Sequence, residues 1–123
     1  MYLVGAFHRN KTIAADILDR LIAEGARLVT DAEVLQEILH RYIAINRLDA
    51  IQPAFDTITS LVDDVLPVTS DICIRAKDLV LSYRKLSARD ALHIAVMKKY
   101  EIKQIISFDS DLDIVPGIDR IAI

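Results

Sequence analysis

The sequence predicts an α/β fold with a mainly parallel central sheet flanked by helices. Short apolar runs alternate with helical patterns along the chain, no two runs are joined by a hairpin signal, and 123 residues are enough to bury one core. Hydrophobic residues make up 53% and charged residues 27%, with three glycines and three prolines, which excludes disordered, collagen-like and low-complexity classes.

From Asn10 to Glu24, Ile13, Ile17, Leu18, Leu21 and Ile22 recur at helical spacing, and Gly25 stands where a helix stops. Residues 27–29 form a short strand. Thr30-Asp31-Ala32-Glu33 then has the form of a capping box, opening a helix expected to bury Val34, Leu35, Ile38, Leu39, Tyr42 and Ile45. A third helix is predicted from about Leu48 to Val62, with Pro53 in its first turn or two. Val65 to Val68 reads as a strand, after which Thr69 or Ser70 caps a helix through Tyr83 with Ile72, Ala76, Leu79 and Val80 on one face. Ser87 opens a helix reaching Tyr100, Gln104 to Ser107 is an apolar strand, and Ile118 to Ile123 is a last strand after the Pro116-Gly117 turn.

The net charge of −3 is not the field of a protein that coats polyanions, so any nucleic acid must be held locally. Arg84, Lys85 and Arg89 form one candidate cluster and Lys98, Lys99 and Lys103 another. The N-terminal MYLVGAF has no basic segment ahead of it and is far too short for a membrane span, so no membrane and a cytoplasmic location are expected. The single cysteine, Cys73, falls in an apolar helical stretch and is expected to behave as a small buried hydrophobe in a reducing compartment.

Ligands of parallel sheets bind beyond the carboxyl ends of the strands, which directs attention to three acids. Asp109 follows the strand ending at Ser107, although on spacing alone a turn-forming aspartate is the simpler explanation. Asp90 shares a stripe with Ile94 and Met97 on a largely apolar helix; a carboxylate pointing toward a core needs a partner, and a helix cap in Ser87-Ala88-Arg89-Asp90 or a metal would serve equally. Glu37 falls in a Glu33, Glu37, Arg41 row at i+4 spacing, for which an exposed salt-bridged face is the simpler explanation. Asp109, Asp111 and Asp113 alternate as a calcium loop begins, but Ile114 replaces the required glycine and Arg120 the bidentate glutamate. The three histidines lack zinc spacing, and neither a phosphate-binding glycine loop nor a nucleophile elbow is present.

Taken together, LVTDAEVLQEIL (28–39), LSARDALHIAV (86–96) and IISFDSDLD (105–113) resemble, in this order and spacing, the PIN-domain ribonucleases, particularly the VapC-type toxins. The resemblance covers nearly the whole chain, and residues 1–123 are expected to form a single PIN-like domain. It implies an RNA substrate, a metal-dependent endoribonuclease activity, a cognate antitoxin and homodimers. It also implies that Glu37, Asp90 and Asp109 hold Mg²⁺ or Mn²⁺, whose preference for carboxylate oxygens suits such a set. One departure stands out. The family's first aspartate belongs to an N-terminal strand of the form Asp-x-Asn, and no acidic residue precedes Asp16 here. MYLVGAF resembles the family's first helix, so the N-terminal strand is expected to be missing or displaced, by a truncation of about ten residues or slightly fewer. Read without the family, Tyr2-Leu3-Val4 is itself a candidate strand. Reduced activity is expected, the alternative being a noncatalytic PIN remnant that binds an antitoxin or RNA.

Overall fold

The computed structural model describes residues 2–3, 11–107 and 110–121, without the side chains of residues 2, 3, 11–15 and 17. In chain order the elements are β1 (Tyr2–Leu3), α1 (Lys11–Ala23), β2 (Val29–Asp31), α2 (Ala32–Ala44), α3 (Ile51–Leu61), β3 (Asp64–Leu66), α4 (Ser70–Ser82), α5 (Ala88–Lys99), β4 (Gln104–Ile106) and β5 (Asp119–Ile121). Two 3-10 helices, Leu48–Ala50 and Ser110–Ile114, precede α3 and β5. The five strands form one sheet in the order β3-β2-β1-β4-β5, and every pairing is parallel.

Local chemistry accounts for the element boundaries. Gly25, at φ +78°, ends α1 in a Schellman arrangement, in which its N–H donates to Ile22 O and that of Ala26 to Leu21 O. Thr69 caps α4 and Ser87 caps α5, each hydroxyl oxygen accepting the N–H three residues on. Pro53 stands third in α3, where its missing N–H costs no helical bond. Asp63 closes the entry of the β2/β3 pair: its carboxylate accepts the Leu28 N–H at 3.0 Å, and its own N–H donates to Leu28 O at 2.7 Å.

The core lies around α5. Ala91, His93, Ile94, Ala95, Val96 and Met97 are all buried, so this helix is enclosed on nearly every side rather than amphipathic. Ile105 and Ile106 of the sheet, Ile72 and Ala76 of α4, and Leu112 and Val115 complete the cluster.

Several expectations change here. The place expected to lack a strand is filled, because Tyr2–Leu3 pairs with β2 on one side and β4 on the other at the centre of the sheet. The candidate strand read from the residues alone is therefore the one that forms, and β2 and β4 keep partners on both edges. The cap of α2 is Asp31 rather than Thr30; Thr30 lies one residue back in β2, fully buried. The buried face of α2 is also shorter than its pattern suggested. Val34 is buried and Leu35, Ile38 and Tyr42 partly so, but Leu39 and Ile43 are exposed, as are Ile45 and Leu48 beyond the end of the helix. Cys73 is exposed, one position round α4 from the Ile72 and Ala76 stripe that faces the core.

Candidate active site

Helix α5 turns through residues 100–103 directly into β4, so it runs against the strands and its amino end lies at the carboxyl edge of the sheet. Helix α2 starts from that same edge. The two are joined by a pair of charged contacts. His93 meets Asp31 and, one turn nearer the amino end of α5, Arg89 meets Glu37. The order along α2 is thus the reverse of that along α5, and the helices run antiparallel at this seam.

The inner contact is dry. Asp31 is 0% and His93 3% exposed, and the Asp31 carboxylate uses both oxygens: Oδ1 accepts the Val34 N–H at 3.1 Å, and Oδ2 lies 2.6 Å from His93 Nδ1, which donates to it. A carboxylate this deep persists only with such partners. Beside it, Glu33 has its carboxyl pushed above the usual range, chiefly by burial; His93 pulls the other way, Asp31 and Glu37 reinforce the rise, and Arg89 opposes it. The outer contact, Glu37 with Arg89, is partly solvated, with side chains 32% and 52% exposed.

Asp90 follows Arg89 in the first turn of α5. Its N–H donates to Ser87 Oγ at 3.1 Å, so the hydroxyl half of the predicted cap is present, and its stripe continues into the fully buried Ile94 and Met97. Glu37 departs from the expected surface row, since its ion pair is with Arg89 across the seam rather than with Arg41. Asp109 lies outside the described residues. On either side of it, Arg120 of β5 donates to Ser107 O at 3.2 Å and, through Nε and Nη2, to the Asp113 carboxylate at 2.9 and 3.1 Å. The Asp113 carboxyl is held below its ordinary range by that hydrogen bond.

The oxygen donors of Glu37 and Asp90 suit a hard divalent cation, and a cationic group already rests on Glu37 in the form of the Arg89 guanidinium. Among the described residues, no three His, Cys, Asp or Glu side chains stand close enough together to hold an ion. The two basic clusters separate in space. Lys98 and Lys103 line a cavity of about 550 Å³ with Glu101, Ile102 and Pro116, at the end of α5 far from Asp90. Lys98 is eight positions along the helix from Asp90, a rise of roughly 12 Å. Only Arg89 reaches the carboxylate seam among the described contacts. Sequence reasoning singled out Glu37 and Asp90 but missed the pairing of Asp31 with His93. Both residues carried a signal, an acid at a strand-to-helix junction and a histidine in an apolar helix, yet no periodicity connects positions 62 apart.

Comparison with known proteins places this geometry in context. Residues 2–118 match the PIN domain family. A VapC ribonuclease of Mycobacterium bovis is 56% identical over 99% of this chain and 93% of its own length, as is the ribonuclease VapC13 of Mycobacterium tuberculosis. Ribonuclease VapC23 of Mycobacterium tuberculosis is 31% identical over 91% of this chain and 88% of its own. Among solved structures, VapBC2 of Rickettsia felis bound to a promoter DNA fragment superposes with a TM-score of 0.77 at 13% identity, covering 99% of this chain and 98% of the other. VapC20 of Mycobacterium tuberculosis, described as a Sarcin-Ricin loop cleaving toxin, gives 0.68 at 24% identity over 91% and 92%.

Proposed function

Because the chain belongs to the PIN domain family, we propose that it is a VapC-type ribonuclease toxin, a hydrolase of RNA phosphodiesters that pairs with a cognate antitoxin. One observation carries the reading: identity above one half, running through nearly the whole chain, to proteins named as ribonucleases. The antitoxin is supported by the VapBC complexes among the structures sharing this fold. A homodimer belongs to the same proposal. Among the described residues no helix is long and apolar enough to cross a membrane.

Glu37, Asp90 and Asp109 are the side chains proposed to hold Mg²⁺ or Mn²⁺. Bound there, the cation would offset the negative charge that builds on the scissile phosphate. The chain's own residues prepare the two described carboxylates. Ser87 holds the first turn of α5 and with it Asp90, while the Asp31–His93 pair fixes the root of α2 and with it Glu37.

The reading is tested by Mn²⁺-dependent cleavage of structured and single-stranded RNA, run beside Asp90→Asn and an EDTA control. Cleavage by the parent chain is expected, with a loss of about a hundredfold or more in the variant. A second reading is a PIN domain that binds its antitoxin or RNA without cutting. Antitoxin binding with no cleavage under any divalent metal would select it.

A further inference from the structure

We infer that Arg89 is a built-in competitor of the metal, a cation supplied by the chain that occupies Glu37 and must leave it before Mg²⁺ or Mn²⁺ can bind. The inference rests on the proposed role of Glu37 and Asp90, and three observations carry it beyond an ordinary surface salt bridge. Arg89 immediately precedes Asp90, so the guanidinium that answers Glu37 is anchored on the backbone of the other described carboxylate. It also crosses from α5 to α2, 52 residues away in sequence, rather than pairing within its own helix. Its surroundings are acidic: Asp31, Glu33 and Glu37 follow one another at the start of α2, and the raised carboxyl of Glu33 reflects their mutual repulsion as well as burial.

His93 faces Asp31, which leaves Arg89 as the charge lying on Glu37. Both side chains reach solvent, so exchanging one cation for another requires no opening of the core. A guanidinium and a divalent ion seek the same carboxylate oxygens and cannot share them fully. Displacement would leave the planar fork of Arg89 free beside Asp90, a geometry suited to phosphate oxygens.

The test is calorimetric titration of Mn²⁺ into the full chain and into the variants Arg89→Gln, Arg89→Lys, Glu37→Gln, the Arg89→Gln/Glu37→Gln double variant and Lys98→Gln. Heat denaturation without metal checks that each is folded. An exposed ion pair of this kind corresponds to a gain of up to about fivefold when its cation is removed, so Arg89→Gln is expected to bind Mn²⁺ about two- to fivefold more tightly than the parent. Arg89→Lys, which keeps the charge, stays nearer the parent. Lys98→Gln makes the same change in net charge at the far end of α5 and leaves the affinity where it was. In the double variant the gain disappears, because there is no longer a Glu37 carboxylate to release.

If Arg89→Gln binds no tighter while Glu37→Gln binds more weakly, the competition is overturned and the metal role of Glu37 stands. If Lys98→Gln gives the same gain, the effect is general electrostatics and the inference falls. If Glu37→Gln leaves Mn²⁺ binding unchanged, or no Mn²⁺ binds at all, the proposed role of Glu37 fails and this inference fails with it.

Discussion

Both oxygens of Asp31 are committed, one to the Val34 N–H at the start of α2 and the other to His93. Replacing it by alanine removes a helix cap and leaves a buried imidazole without its acceptor, for an expected loss of about 3 kcal/mol or more, read from urea denaturation midpoints. Asp31→Asn retains a cap oxygen and is expected to lose less. Glu33 behaves in the opposite sense. Its folded-state carboxyl holds its proton more tightly than the ordinary 4.5, so the folded chain binds more protons than the unfolded one in the window above 4.5, and stability falls as pH rises through that window. Glu33→Gln is therefore expected to raise the melting temperature at pH 7, with the difference shrinking as the medium is acidified and vanishing well below pH 4.5, where the parent carboxyl is protonated in both states. The residue types at this site were legible in the sequence, but their partners were not. Glu37 had a plausible partner at i+4 in Arg41, and the fold gave it one 52 residues away instead.

Among the elements, α5 is the one on which the core depends. With Ile94, Val96 and Met97 all fully buried, Met97→Ala opens a cavity on a helix that has little room to collapse, and a loss of about 3 kcal/mol is expected in thermal or chemical denaturation. The far half of α2 is the contrasting case. Ile43 is 60% exposed, so Ile43→Ser is expected to leave the unfolding free energy within about 0.5 kcal/mol of the parent, measured by the same denaturation curves. Helices read well from sequence because period and cap are local properties, as the Ser87 and Thr69 hydroxyls show. The burial of α2 read poorly for the same reason. Apolar spacing marks a face whether or not another element covers it, and here the cover ends after about two turns.

At the scale of the molecule, strands alternating with helices and no hairpins left little choice but a parallel sheet, and the fold class was legible from that alternation. The strand order was not, because which run lies in the middle depends on contacts between distant segments. Hence the N-terminal strand, expected to be missing or displaced, is present as Tyr2–Leu3 at the centre of the sheet. The antiparallel seam also gives α2 the mechanics of a lever. Its fulcrum is the dry Asp31–His93 contact, held on the sheet and on the best-packed helix, and its arm carries Glu37. Six residues along a helix are about 9 Å, so a tilt of about 10° at the fulcrum would swing Glu37 by roughly 1.5 Å. Displacements of that size are enough to disable a reactive constellation. A change at the fulcrum too mild to unfold the chain can therefore still detune the far end of the arm, which makes the stiffness of α2 as much a determinant of the proposed site as the carboxylates themselves.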